Sequence, residues 1–251
     1  MRSPLPASEN ISTHLSPAEL RPLRKHMQIV YQNPYSSLNP RKRVGAILRQ
    51  PLEVHGFNGD MTRRVVELLH AVGLPGDAAR KCPHQFSGGQ QQRIAIARAL
   101  ATHPELIVAD EVTSALDVSI QAQIINLMVG LQEEFGLAYI FISHDLGVVR
   151  HASHRIAVMY LGTIVEQAFT EGLFANPRHP YTRILMSAIP TPDPEENWSP
   201  QLPAGDVPSP VNVPSGCHFH PRCPIAVSAC AQTEPELREV RPGRRVACHL
   251  A

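Results

Sequence analysis

The sequence predicts an α/β fold in which helices cover a parallel sheet. An apolar run at residues 106–109 ends in two acids, and a second apolar run occupies residues 137–142. Between them, apolar side chains recur at helical spacing over residues 120–131, and Gly136 ends that pattern. Short uninterrupted apolar runs are typical of buried parallel strands. Their alternation with a helix indicates a parallel sheet, which gathers ligands at the carboxyl ends of its strands.

The remaining elements of the α/β body follow from the same periodicities. Residues 44–55 and 61–71 show helical spacing of apolar side chains and are predicted to form two short helices. Residues 155–161 and 164–168 are predicted to pair as a hairpin, because Gly162 and Thr163 separate two strand-like runs.

Composition excludes several classes of protein. The chain has 251 residues and a net charge of +1, from 23 basic and 22 acidic residues. This balance argues against a protein that binds nucleic acid through bulk electrostatics. The sequence has neither a run of about 20 apolar residues, as a membrane span requires, nor an N-terminal signal segment. We therefore expect a soluble, cytoplasmic protein.

Proline and cysteine usage divides the chain. Half of the 24 prolines lie from Pro190 onward, together with four of the five cysteines. Because proline interrupts regular structure, we predict a compact body to about residue 188, a connector over residues 190–214 and a small cysteine-containing tail.

A glycine-rich helix start follows Phe86. Ser87 and Gln90 have the spacing of a capping box, which predicts a helix that begins near Gly88. Gly88 and Gly89 would let another backbone approach, and the free N–H groups of the helix N-terminus attract anions. The capping pattern alone is equally typical of an ordinary helix start.

Polar residues follow each apolar run. Asp110 and Glu111 end the first, and such a carboxylate pair can support Mg²⁺ and polarise a water. His144 follows the second run, and Gln32 follows the apolar pair at residues 29–30. Each has a simpler interpretation: solvated acids, a loop histidine and a polar turn residue.

Taken in order, these features resemble the ATPase subunits of ABC transporters. Gln32, residues 86–93, residues 106–111, residues 114–117 and His144 match the Q-loop, signature motif, Walker B strand, D-loop and H-switch of that family.

Two further segments resemble the dipeptide and oligopeptide importer ATPases. They are residues 31–41 and residues 176–182, the latter in a C-terminal extension typical of that group. The resemblance implies a P-loop NTPase-type α/β domain, N-terminally truncated, over residues 1–168, with a helical subdomain at about 40–100. Residues 169–251 would form the extension.

The resemblance also implies roles for individual residues. Asp110 would support Mg²⁺, Glu111 would be the general base for the water that attacks the γ-phosphate, and His144 would stabilise this geometry. Gln32 would sense the nucleotide. The signature residues Ser87, Gly88, Gly89 and Gln90 would contact the partner's ATP, and Ser114 and Asp117 would belong to the D-loop.

One family motif is absent from the sequence. Such ATPases use a glycine-rich loop ending in Gly-Lys-Ser or Gly-Lys-Thr to hold the phosphates, and neither tripeptide occurs in the chain. The chain is expected to begin downstream of that loop, so weak ATP binding is expected from the chain alone. The signature motif could still complete the site of an intact paralogue, which gives one working site out of two.

The resemblance implies an assembly for peptide import. Its partners would be a paralogous ATPase subunit, two membrane permease subunits and a peptide-binding protein, with no nucleic acid, and the chain would lie peripherally on the inner face of the cell membrane. Two alternatives stay open: a non-catalytic fragment or pseudo-ATPase that acts as an interaction module, and a soluble ABC ATPase of other function.

The tail cysteines are Cys217, Cys223, Cys230 and Cys248. Four thiols in a cytoplasmic protein suggest a metal site rather than disulfides. The pattern resembles the C-terminal cysteine motif of peptide-importer ATPases, and we expect a [4Fe–4S] cluster, since four thiolates can hold one. Zinc and free thiols are the alternatives.

Overall fold

The computed structural model describes residues 15–189, 203 and 205–251. The chain divides into two compact units between His144 and Asp145. The hairpin predicted over residues 155–168 belongs to the second unit, whereas the predicted domain boundary at residue 168 assigned it to the first. Residues 190–202 and 204 of the predicted proline-rich connector lie outside the described residues.

Within the described residues, the first unit combines a small parallel sheet with six helices. Its strands are β1 (Met27–Val30), β2 (Leu106–Asp110) and β3 (Ala138–Ile142). Its helices are α1 (Pro17–Arg24), α2 (Pro34–Ser37), α3 (Val44–Val54), α4 (Met61–Ala71), α5 (Gly88–Leu100) and α6 (Val118–Phe135), with short 3₁₀ turns at Gly76–Arg80 and Pro83–Gln85. The predicted helices, strands and the stop at Gly136, which has a left-handed φ of 64°, are confirmed.

The three strands are parallel in the order β1-β2-β3. Val30 lies opposite Ala109, and Asp110 lies opposite Ile142, so the strands end at the same edge. The residues that follow the strands therefore meet there. This is the physical basis on which a site forms at the carboxyl ends of parallel strands.

Only one face of this sheet is covered by the described residues of the first unit. Val30, Ile107 and Ala109 are fully buried, whereas Ile140 and Ile142 are 51% and 49% exposed. The prediction that residues 137–142 form a fully buried strand is therefore wrong. A run of consecutive apolar residues indicates a strand, but it does not show that both sheet faces are covered.

The helices of the first unit share one apolar core. Leu48 and Leu52 on α3, Leu69 on α4, and Ile94 and Ile96 on α5 are at most 1% exposed. Since apolar side chains at helical spacing face this cluster, α5 is held on its neighbours by burial of apolar surface.

The second unit is built on an antiparallel sheet in the order β4-β5-β7-β6. Its strands are β4 (Arg155–Tyr160), β5 (Thr163–Phe169), β6 (Arg238–Arg241) and β7 (Arg244–Val246). Its helices are α7 (Leu146–Ala152), α8 (Thr170–Ala175), α9 (Pro180–Ser187) and α10 (Ser228–Gln232), with a 3₁₀ turn at His220–Arg222. The predicted hairpin is confirmed as β4 and β5, and β5 pairs with β7 from the cysteine-containing tail.

Aromatic rings and a buried carboxylate organise the second unit. Phe219 is 1% exposed and contacts the rings of Tyr160, Tyr181 and His179. Glu166 is fully buried and accepts backbone hydrogen bonds at 2.8–3.1 Å from residues 178 and 179, next to the start of α9. The carboxylate thus satisfies N–H groups that would otherwise be buried without a partner.

No helix within the described residues is long and apolar enough to cross a membrane.

Candidate functional site

The predicted polar residues at the carboxyl edge of the sheet form one hydrogen-bonded cluster. Gln32 Nε2 donates to Glu111 Oε2 at 2.7 Å, and His144 Nδ1 lies 3.1 Å from Glu111 Oε1. The three residues follow β1, β2 and β3, so each strand contributes one group. The parallel register places them together although 79 residues separate Gln32 from Glu111.

Glu111 adopts an unusual backbone conformation. Its φ of 46° lies in the left-handed region, which few residues other than glycine enter. Its N–H donates to the Ile142 carbonyl at 2.9 Å, and its own carbonyl accepts from Ser114 N at 3.1 Å. Such conformations concentrate at functional sites, where surrounding bonds impose them. Neither the strand pattern nor the acid pair predicts this turn.

Ser114 connects the turn to the cluster. Its hydroxyl donates to the Glu111 carbonyl at 3.0 Å and accepts from Gln32 Nε2 at 3.1 Å. The side chain of Glu111 is 29% exposed and that of His144 is 73% exposed. Asp110 ends β2 beside this opening and is half-buried. The arrangement is a carboxylate, fixed in orientation, that a ligand can reach from solvent.

The predicted capping box at the start of α5 is confirmed. Gln90 N donates to Ser87 Oγ at 3.3 Å, and Ser87 N donates to Gln90 Oε1 at 3.1 Å. Ser87 and Gln90 are exposed, so the helix N-terminus is open to solvent. Free N–H groups and the positive end of the helix dipole make this position favourable for an anion.

The two glycines of this helix start face different neighbours. A Cβ at Gly89 would lie 2.6 Å from Cγ2 of Ile120 on α6, so this position has no room for a side chain. A Cβ at Gly88 would lie 3.4 Å from Leu116 and 3.8 Å from the Tyr35 hydroxyl. Gly89 therefore has a packing role between α5 and α6, which the capping pattern does not reveal.

Asp117, the other residue predicted for the D-loop, lies in the turn between β2 and α6. Asp117 is the N-cap residue of α6, but its side chain makes no capping hydrogen bond there. The turn is held instead by Gln121 Nε2, which donates to the Thr113 carbonyl at 2.9 Å. The structure thus brings Ser114 into the cluster and leaves Asp117 at the exposed helix start.

Arg98 makes a contact that the sequence patterns do not predict. Its guanidinium, on α5, donates to the carbonyl of Ser37 at the end of α2, and burial lowers the pKa of Arg98. A cation at a helix C-terminus satisfies a free carbonyl and complements the dipole. The available signal was an arginine between two buried alanines, Ala97 and Ala99. The bond links the helix of Ser87 to the segment that follows Gln32.

The structure does not support the metal site that was predicted at the four tail cysteines. Burial raises the pKa of Cys217, and the nearby thiols of Cys230, Cys248 and Cys223 raise it further; burial also raises the pKa of Cys223. Throughout the described ranges, no three Cys, His, Asp or Glu side chains are grouped so as to hold a metal ion. The predicted [4Fe–4S] cluster is therefore not supported. The alternative zinc site is not supported for the same reason. Metal ligation requires thiolates, which burial disfavours here.

Two family models match the chain. The ABC transporter model matches residues 2–114, which contain Gln32, the helix start at Ser87 and the acid pair. The model of the oligopeptide/dipeptide transporter C-terminal region matches residues 165–230, in the second unit.

Several curated relatives are similar to the chain over most of its length. A peptide import ATP-binding protein of Brucella ovis is 52% identical over 236 residues, which are 93% of this chain and 74% of that protein. The oligopeptide transport ATP-binding protein AppF of Bacillus subtilis is 50% identical over 95% of this chain and 74% of its own length. A solved ATP-binding cassette, a dimer in a post-hydrolysis state with ADP and Pi, matches with a TM-score of 0.54 and 32% identity over 62% of this chain and 68% of its own. The chain belongs to the ABC transporter family, among the ATP-binding proteins of its peptide importers.

Proposed function

We propose that the chain is an ATP-binding subunit that energises an ABC importer of di- or oligopeptides. The observation that carries the proposal is the Glu111 carboxylate, held between Gln32 and His144 at the carboxyl ends of three parallel strands. The names of its relatives, which refer to peptide import and oligopeptide transport, support the substrate class.

In this function, Glu111 is the general base for the water that attacks the γ-phosphate. His144 and Gln32 fix the carboxylate through its two oxygens, so that little reorganisation is needed during the reaction. Gln32 in addition senses the nucleotide. The carboxylate of Asp110, at the end of β2, suits Mg²⁺, because this ion prefers oxygen ligands. The metal would neutralise charge on the phosphates.

The exposed start of α5 has a different role in this proposal. Ser87, Gly88, Gly89 and Gln90 contact ATP that is bound mainly by a paralogous ATPase subunit, and Ser114 and Asp117 belong to the turn that faces that subunit. Within these 251 residues no Gly-Lys-Ser or Gly-Lys-Thr occurs, so none of them supplies the usual lysine and amide cradle for the β- and γ-phosphates.

The assembly places the chain on the inner face of the cell membrane. Two membrane permease subunits and a peptide-binding protein complete the importer, and the chain associates with the permeases peripherally.

The test is a comparison of two variants in the assembled importer. The chain, an intact paralogous ATPase subunit and the permeases are reconstituted in proteoliposomes, and ATP hydrolysis is measured. Ser87→Arg should lower the rate by about 100-fold, as the loss of a transition-state contact does. Glu111→Gln should also lower the rate, by about 100-fold, because it removes the general base. An unchanged rate in Glu111→Gln would contradict the role of Glu111 as the base.

The second candidate function is a non-catalytic interaction module, since no Gly-Lys-Ser or Gly-Lys-Thr occurs within these 251 residues. Equilibrium binding of Mg-ATP separates the two. Mg-ATP binding that occurs only in the mixture with the paralogue supports the proposed function. ATP hydrolysis that is insensitive to Ser87→Arg supports the non-catalytic interaction module. Tight binding by the chain alone would show that another element holds the phosphates.

A further inference from the structure

The short helix α2 contacts the longer helix α5 at two points. Near the end of α5, the Arg98 guanidinium donates to the Ser37 carbonyl. Near its start, a Cβ at Gly88 would lie 3.8 Å from the Tyr35 hydroxyl. Gly88 and Arg98 are separated by about 15 Å along a helix axis, whereas Tyr35 and Ser37 belong to the same turn of α2. One turn of α2 therefore holds α5 near both of its ends.

The helix α2 is held in place by its own cap and by the core. Asn33 Oδ1 accepts from Tyr35 N at 2.9 Å and caps the start of α2. Leu38, which follows the helix, is 1% exposed and belongs to the apolar core of the first unit. Gln32, which donates to Glu111, immediately precedes the cap. The helix α2 is therefore a fixed support that connects the carboxylate cluster to α5.

Arg98 makes the stronger of the two contacts between α2 and α5. Its side chain is half-buried, and burial lowers its pKa, an effect that the nearby Tyr31 opposes in part. A hydrogen bond from a charged donor is about twice as strong as one between neutral groups, whereas a single van der Waals contact contributes little. The bond to the Ser37 carbonyl therefore determines how α5 lies against α2 more than the contact at Tyr35 does.

We propose that Arg98 is a positioning residue for the signature motif at the other end of α5. It fixes α5 on α2 and thereby places Ser87, which contacts the ATP of the paralogous subunit. This role rests on the proposed function, in which Ser87 meets that ATP. Loss of the bond at Arg98 would let α5 tilt and would displace its start. A displacement of about 1 Å at a reacting group can lower a rate by about 100-fold.

Arg64 offers a matched control for Arg98. Its guanidinium is also partly buried, burial lowers its pKa, and it donates to the Leu100 carbonyl at 3.4 Å. Arg64 and Arg98 thus each donate to a helix-end carbonyl, and both bonds lie at the same end of α5. The Arg64 bond joins α5 to α4, whereas the Arg98 bond joins it to the segment that follows Gln32.

The test is a double-mutant cycle in the reconstituted importer, with the intact paralogous subunit present. Hydrolysis over a range of Mg-ATP concentrations gives kcat and KM. Arg98→Met should lower kcat by about 10- to 100-fold and leave KM nearly unchanged, because ATP is bound mainly by the paralogue. In the Ser87→Arg background, where the contact is already lost, Arg98→Met should cause little further loss. Arg64→Met should leave kcat close to that of the wild type.

Two results would overturn the proposal. One is an equal factor of loss from Arg98→Met in the wild-type and Ser87→Arg backgrounds, since a merely structural residue acts alike in both. The other is an equal loss of kcat from Arg98→Met and Arg64→Met. Arg98→Lys keeps a charged donor and should retain more of kcat than Arg98→Met. It takes the place of Arg98→Met in the cycle if that variant misfolds.

Hydrogen exchange in the full chain without nucleotide separates the role of Arg98 from the proposed function. Arg98→Met should speed exchange several-fold at residues 90–92, in the first turn of α5, whereas Arg64→Met should not. Unchanged exchange there in Arg98→Met would overturn the positioning role, whatever the rate of hydrolysis. Faster exchange there, together with hydrolysis that is insensitive to Ser87→Arg, would support the hold of Arg98 on α5 and refute the proposed function instead.

Discussion

Replacement of Gly89 by alanine tests the packing between α5 and α6 independently of any nucleotide. The new Cβ would lie 2.6 Å from Cγ2 of Ile120 and 3.6 Å from its Cδ1. Carbon atoms in contact prefer about 3.5–4.0 Å, so one of the two helices must shift by roughly 1 Å. Ile120 cannot simply rotate away, because a β-branched side chain in a helix has one strongly preferred χ1 rotamer.

Two opposing terms set the magnitude. Alanine gains up to about 1 kcal/mol over glycine in a helix, and overpacking costs about 1–3 kcal/mol. We expect Gly89→Ala to lower the free energy of unfolding by about 1–2 kcal/mol. Gly130→Ala on α6 is the matched control, since nothing lies within 4 Å of a Cβ there. It should raise the free energy of unfolding by about 0.5–1 kcal/mol.

Urea unfolding followed by far-ultraviolet circular dichroism measures both changes, and hydrogen exchange at the amides of α5 and α6 assigns them to the first unit. The double variant Gly89→Ala/Ile120→Ala should recover part of the loss beyond additivity, because it removes the clashing methyl group. If Gly89→Ala stabilised the protein as Gly130→Ala does, the inferred close packing at Gly89 would be refuted.

Three further predictions concern local chemistry. The free energy of unfolding of Glu111→Gly should exceed that of Glu111→Ala by about 1 kcal/mol, because both variants lose the carboxylate but only glycine accepts a φ of 46° without strain. Equal midpoints in urea unfolding would argue against that strain. Burial lowers the pKa of His179 to about 4, so the unfolded chain binds more protons below pH 6.5, and stability should fall as pH drops from 6.5 to 4 by up to about 1.4 kcal/mol per unit. His179→Asn keeps a helix-capping group and should flatten that dependence in urea titrations. Arg98→Met should speed hydrogen exchange at residues 34–38, since the Ser37 carbonyl loses its donor, whereas exchange in α4 should stay unchanged.

Local patterns in the sequence were sufficient to predict much of the fold. The helix at Met61–Ala71, the capping box at Ser87 and the stop at Gly136 were predicted correctly. Each depends on residues within a few positions of one another, where periodicity and capping chemistry apply directly. The convergence of Gln32, Glu111 and His144 could also be predicted, because parallel strands end at a common edge.

Features that depend on how particular side chains from separate helices pack were not predicted. The Arg98–Ser37 bond spans 61 residues, and the role of Gly89 depends on Ile120 in the next helix. The cysteine tail shows the same limit. Spacing along the chain specifies how many thiols are present, but their grouping depends on contacts between separate segments, such as the hydrogen bond from Cys217 N to the Cys230 carbonyl.

The Glu111 carboxylate is fixed in orientation and can still accept a hydrogen bond from a water. An ionised carboxylate has about four lone-pair positions, and Gln32 and His144 contact one oxygen each. The group is therefore held at both oxygens and still retains acceptor capacity toward a water. Ser114 fixes Gln32 in turn through a hydroxyl whose proton is given to the Glu111 carbonyl. In the proposed function, Ser114 thus orients the base through Gln32, so loss of Ser114 should disturb the angle at which the carboxylate meets the attacking water.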